Sequence, residues 1–174
     1  MYNRRYCFIL IAMALFLLDL STSVYVIADS DLERESLYGL KGIYLEVALL
    51  KPEIEQEGLT RQQLETYVKQ KLQVAGIKIL TEKEWVKMKG SPALYVNVHI
   101  INIPKCYDYK YYTYRVDVEL YQDAFLLRNP TIALPVRSWA TGCLGAEYRL
   151  DVIQAHVESL VDEFVNTYLY MNTK

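Results

Sequence analysis

The chain has 174 residues, 52% hydrophobic and 23% charged, with a formal net charge of −2. It is too apolar for a disordered chain and long enough for one domain with a sizeable core. The mild acidity excludes the basic field that nucleic-acid binders carry, so no nucleic-acid partner is expected.

Residues 1–28 read as a signal peptide or N-terminal anchor. Arg4 and Arg5 make a basic start, residues 7–18 an uninterrupted apolar run, and Val26-Ile27-Ala28 a tolerable peptidase site. Such a segment enters the export machinery with its positive end inward. The apolar run is too short to cross about 30 Å of hydrocarbon. Lengthening it to residue 28 puts Asp19 inside the span. No stable membrane span is therefore expected unless the segment stays uncleaved. The protein is expected to be exported, periplasmic or extracellular, either freed from residues 1–28 or anchored by them. Cleavage removes two arginines and one aspartate, moving the net charge from −2 to −3. Cys7 precedes the apolar run, which makes it a poor lipid-attachment cysteine.

Residues 29–38 are charged and polar and read as a flexible leader. A single α/β domain is expected over 39–174. Its first strand spans 43–50, with Ile43, Leu45, Val47 and Leu49 on one face, two glycines before it and Pro52 after it. An acidic loop follows over 51–58. Thr60 and Gln63 have capping-box spacing and open a helix whose stripe is Leu64, Tyr67, Val68, Leu72 and Ala75. Gly76 stops it. Residues 77–80 read as a short strand parallel to the first, closing a right-handed crossover. Thr81 and Glu84 repeat the capping signature and start a short helix that turns Trp85 and Met88 inward.

Two alternating strands come next, 94–100 and 112–120. Val96, Val98, Ile100, Val116, Val118 and Leu120 form the buried set; Asn97, Arg115, Asp117 and Glu119 form the wet set. Residues 123–135 read as a long loop or ragged hairpin with two prolines. Residues 136–143 make a final strand weakened by Gly142 and Gly145. Asp151 and Gln154 open a last helix striped with Ile153, Val157, Leu160, Val161, Phe164, Tyr168 and Leu169. The predicted order is β-α-β-(short α)-β-β-β-α. The fold class is α+β: a two-layer sandwich, a largely antiparallel sheet with two long helices on one face and the other face wet.

Six of the 16 tyrosines fall within residues 107–121, interleaved with Lys110 and Arg115. Such a cluster either stabilises the hairpin through cross-strand pairs or forms a partner-binding surface. The binding candidates are Tyr107, Tyr109, Tyr111 and Arg115, with an envelope protein or polymer as the partner. Asp117, Glu119 and His99 are the residues a hydrolase would use; a solvated sheet face is the plainer reading of the two carboxylates. Neither His99 nor His156 has a partner at metal-ligand spacing, and no phosphate loop, dinucleotide motif or nucleophile elbow occurs. No catalytic residue, metal or cofactor is expected. Cys106 and Cys143 survive cleavage and an exported protein can oxidise them, but the strand layout sets them roughly 30 Å apart, against the ~7 Å that a bridge requires.

The segments Gly39-Leu40-Lys41-Gly42, Glu57-Gly58-Leu59-Thr60, Ala75-Gly76-Ile77-Lys78-Ile79-Leu80 and Ser91-Pro92-Ala93-Leu94-Tyr95-Val96-Asn97-Val98, with the run 160–169, resemble a family of short, exported, uncharacterised bacterial proteins with a single small α/β domain. The shared residues are structural, so the resemblance implies a fold and an exported location but no site. The element order is also similar to that of small periplasmic α/β domains, such as the N-terminal domain of the Tol-system propeller protein and the curli-secretion lipoprotein, by fold only. A non-enzymatic binding module is the expected function. A structural or assembly subunit of an envelope complex, or a hydrolase, are the alternatives.

Overall fold

Three long strands carry the alternation that builds the sheet. The computed structural model, which describes residues 24–27, 30–106 and 109–173, places β3 at Ala93–Cys106, β4 at Tyr109–Leu126 and β5 at Asn129–Glu147. They run antiparallel, with Val96 opposite Val118, Val98 opposite Val116 and Leu120 opposite Trp139. A short strand, β2 at Tyr44–Val47, lies parallel to β3, and β1 at Val24–Ile27 lies antiparallel to β5. The sheet order is β1-β5-β4-β3-β2. Successive side chains point to opposite sides of a strand. Val96, Val98, Ile100, Val116, Val118 and Leu120 thus share one side, and all are buried.

Two long helices supply the second layer, α3 at Arg61–Val74 and α5 at Leu150–Asn172. Leu64, Val68 and Leu72 of α3 join Ile153, Val157, Leu160, Val161 and Phe164 of α5 in one core with the buried strand residues. Trp139 meets Phe164 edge-on at 5.2 Å. Buried Thr141 donates a hydrogen bond to Glu163 Oε2 of α5 at 2.9 Å, which satisfies its hydroxyl inside an apolar layer. The expected α+β two-layer sandwich is therefore the observed one. The capping box also forms: Gln63 N–H donates to Thr60 Oγ1, and Thr60 N–H donates to Gln63 Oε1. Gly76 ends α3 at φ +73°, a conformation that only glycine adopts cheaply.

Several expectations need correction. The leader expected over 29–38 holds a capped helix, α1 at Asp31–Glu35, with a full Ser30/Glu33 capping box. Leu37 behind it is fully buried, and Ser36 Oγ donates to Ser138 O at 3.1 Å. One anchoring leucine outweighs the polar composition of its neighbours. The acidic loop contains another short helix, α2 at Pro52–Gln56, fixed by buried Ile54. The first strand ends at Val47, so Leu49 is exposed and Leu50 takes the buried place as the chain turns towards Pro52.

Residues 77–80 form a single parallel bridge, Ile43 to Ile79, and no strand. Gly42 permits that approach, since a Cβ there would lie 2.9 Å from Lys78 O. The short helix, α4 at Glu82–Trp85, is capped as expected, but Trp85 and Met88 are only half-buried. Of the two readings of 123–135, the ragged hairpin is the observed one: strand on both sides of a two-residue turn, Leu127-Arg128, with a register shift between Phe125 and Leu126. Asp151 and Gln154 do not cap α5; Arg149 is the N-cap residue, without a side-chain bond, and its guanidinium pairs with Asp151. Residues 1–23 and 28 of the expected signal peptide or anchor, and residue 29 of the expected leader, lie outside the described residues. Residues 24–27 are the edge strand β1. No helix among the described residues is long and apolar enough to cross a membrane.

Candidate functional site

Two of the four sequence-predicted binding residues, Tyr111 and Arg115, are described with their side chains. Tyr111 is exposed opposite Ile103, and Arg115 is exposed opposite His99 and Leu144. Both lie on the open side. Tyr107 lies outside the described residues, and Tyr109 is described through its backbone, which pairs with Cys106. Tyr112 and Tyr114 of the same cluster point into the core. Tyr112 donates its hydroxyl hydrogen to Glu57, which also pairs with Lys110. Those two bonds, Lys110 first, hold the Glu57 carboxyl below its usual range, while burial pushes the Tyr112 phenol up. Tyr114 stacks on His156 at 5.5 Å and lies over Gly145. Much of the tyrosine cluster thus ties the hairpin to the helical layer.

The wet-face carboxylates are engaged. Asp117 pairs with Arg115 at 2.8 Å, and Glu119 with Arg137 at 2.9 Å. Asn97 Nδ2 also reaches Glu119 Oε2, at 3.5 Å. Neither carboxylate faces solvent alone, as an acid or nucleophile for hydrolysis would. His99 is exposed on the same face. No group of three or more His, Cys, Asp or Glu residues among those described is placed to hold a metal ion. Cys143 is a buried free thiol, pushed up to about 11 by burial first and then by the Asp117 charge. It sits opposite Val116, whereas Cys106 pairs with Tyr109, roughly 23 Å further along β4.

The open side also carries a groove that the sequence did not single out. It encloses about 520 Å³ between the start of β3, the C-terminal part of β4 and α4. Three large aromatic side chains, Trp85, Tyr95 and Tyr121, line it together with the polar Asn97, Glu119 and Asp123. Tyr95 and Tyr121 meet nearly at right angles, 82°, with ring centres 5.3 Å apart. Trp85 has one face covered by Tyr44, stacked at 4.9 Å. Burial, and then the Glu46 carboxylate, raise the Tyr95 phenol above its ordinary value.

The groove is rigidly framed. Trp85 Nε1 donates to Ser91 O at 2.7 Å, and Asp123 N–H donates to Gly90 O, also at 2.7 Å. Gly90 and Ser91 both have positive φ, +77° and +40°. For serine that conformation costs about 1–2 kcal/mol. The two bonds hold it in place at the rim. From sequence, Trp85 reads as an inward-facing residue, Tyr121 as one of the 107–121 tyrosine cluster and Tyr95 as a strand residue. Their meeting depends on register: Tyr121 stands opposite Ala93, which sets Tyr95 beside it on the diagonal. Alternation alone puts Tyr95 on the wet side; pairing partners cannot be counted without knowing the turn.

No family model and no curated protein matches the chain. Among solved structures it is similar to a minor lipoprotein from Acinetobacter baumannii, at 12% identity over 72% of this chain and 90% of that one, with a TM-score of 0.37. A likeness of that size carries no argument about either fold or activity.

Proposed function

We propose that this chain is an exported, non-enzymatic α/β module that binds an envelope protein or polymer through the open side of its sheet, with the aromatic groove as the main seat. The carrying observation is the groove itself: three large aromatic side chains lining it together with polar groups on the side that the helices leave uncovered. Aromatic rings supply contact area at low entropic cost, and binding sites concentrate them beside a few placed polar groups. The leader-like residues 1–28 and the resemblance noted above support an exported location. Tyr111 and Arg115 lie on the same open side and extend the surface beyond the groove, Tyr111 roughly 33 Å from Tyr121 along β4.

Pulldown from envelope extract tests this reading. The parent protein is compared with a Trp85→Ala/Tyr121→Ala variant and a Tyr111→Ala/Arg115→Ala variant. The groove variant should lose the partner and the second should weaken recovery. Equal recovery from all three removes the open side as the receptor surface.

A further inference from the structure

The groove's geometry and charge narrow the chemistry of what it holds. We infer that it seats an arginine side chain of a basic peptide segment, its guanidinium against the Tyr95, Tyr121 and Trp85 rings and its fork on the Asp123 carboxylate; this rests on the open side being the receptor surface.

Four observations lead there. Aromatic ring faces carry negative charge density and attract cations, and several rings at an angle do so from more than one side. The 82° corner of Tyr95 and Tyr121, in a groove that Trp85 also lines, has that shape. Second, the Tyr95 and Tyr121 planes are perpendicular, so the pair forms no shared flat plate of the kind that suits a sugar ring, and the Tyr44 stack leaves Trp85 a single open face.

The third observation is charge. Glu119 is neutralised by Arg137, but Asp123 has no ion-pair partner among the described residues, and it lines the groove. The Glu46 carboxylate adds to the negative field at Tyr95. An anion would be repelled there, and a cation would gain a charge-assisted bond to the exposed Asp123 carboxylate that a neutral ligand cannot match. Fourth, a cavity of about 520 Å³ holds one long side chain with its local backbone. Guanidinium suits it better than ammonium, because a planar cation can stack on a ring while its edge makes two parallel bonds to a carboxylate. The chain's net charge of −2 favours encounter with a basic partner.

The two tryptophans make the test direct. Trp139 is buried in the core, so a ligand-dependent change in indole emission reports Trp85. The full chain is titrated with acetyl-Gly-Arg-Gly-amide and with the same peptide carrying lysine or norleucine. A tetramer of N-acetylglucosamine is the neutral sugar probe. The arginine peptide should give a saturable change, the lysine peptide a weaker one, and the norleucine peptide and the sugar none. Asp123→Asn, confirmed as folded by circular dichroism, should weaken the arginine response about tenfold, and added salt should weaken it in the parent protein. The inference is overturned by no response to arginine, by an equal response to norleucine, by a response to the sugar in its place, or by an unchanged affinity in Asp123→Asn. If the groove variant loses its partner in the pulldown while arginine gives no response, the receptor surface stands and the cation does not.

Discussion

Gly145 is the residue at which composition misleads most. By composition it weakens β5, since it has no side chain to pack. In the structure it stands opposite Tyr114, and a Cβ there would lie 2.6 Å from the Tyr114 hydroxyl oxygen and 2.8 Å from the nearest ring carbon. The missing side chain is the space that the buried tyrosine fills, with His156 on it from α5. Gly145→Ala must displace that ring and should cost about 1–3 kcal/mol in urea unfolding, as overpacking does. Phe164→Ala acts in the opposite sense. It empties a fully buried site under Trp139 and should cost about 3–5 kcal/mol. Cys143 belongs to the same buried layer. Its thiol is held up at about 11 and shielded from solvent, so maleimide should label it, by peptide mapping, only after unfolding.

At the scale of elements, α4 joins a local signature to the candidate site. Thr81 and Glu84 cap it, and its last residue is Trp85. The Glu84 carboxyl is lowered to about 2, chiefly by the Lys78 ammonium at 2.6 Å and then by the Thr81 N–H and hydroxyl. Its folded value thus lies below its ordinary value of 4.5. The stabilisation it brings is present above that ordinary value and fades as the pH falls towards about 2. Acidification across that window should loosen α4 and change Trp85 emission before the core unfolds, with buried Trp139 as the steady background. Glu84→Ala, which removes both the cap bond and the Lys78 pair, should show the loosened emission at neutral pH and flatten the dependence; an unchanged profile would mean that the cap does not hold Trp85.

Glycine stops, period-two strands and two of the capping signals were legible because each is decided within a few residues, whereas the Asp151/Gln154 spacing gave no cap and the local Ser30/Glu33 box was hidden in a stretch that reads as a leader. Thr60 with Gln63, Thr81 with Glu84, and Gly76 all behave as their spacing predicts. Elements decided by a distant contact were not legible. A single apolar residue, Ile54, orders α2 within a charged stretch, and Leu37 does the same behind α1. Pro130 and Pro135 leave residues 123–135 open between a loop and a ragged hairpin. Among the described residues β1 pairs with β5 only at residues 141–144, so those prolines lie where β5 has no described partner strand on its far side and a missing N–H costs little. The candidate groove needs both kinds of information. Wet-side parity is readable for Tyr95, but its meeting with Tyr121 and Trp85 requires the β3–β4 register and the loop pinned at Gly90.

The whole molecule turns on how the N-terminal segment is processed. Read as sequence, Val26-Ile27-Ala28 invites a cut after residue 28. In the folded sheet, however, Val24 pairs with Leu144, Tyr25 with Cys143, Val26 with Gly142 and Ile27 with Thr141. A cut after residue 28 removes that strand and leaves the backbone of 141–144 as an open edge, the kind of surface that folded proteins normally cover. The strand therefore favours a chain that keeps residues 24–27, whether as an uncleaved anchor or after a cut further upstream. Intact-mass measurement of protein isolated from the producing cells should find those residues present. Hydrogen exchange supplies an independent check: amides of 141–144 that face β1 should be protected in the full chain and should exchange freely in a chain beginning at Asp29. A mature mass beginning at Asp29, with protection at 141–144 unchanged, would show that the sheet does not need its first strand.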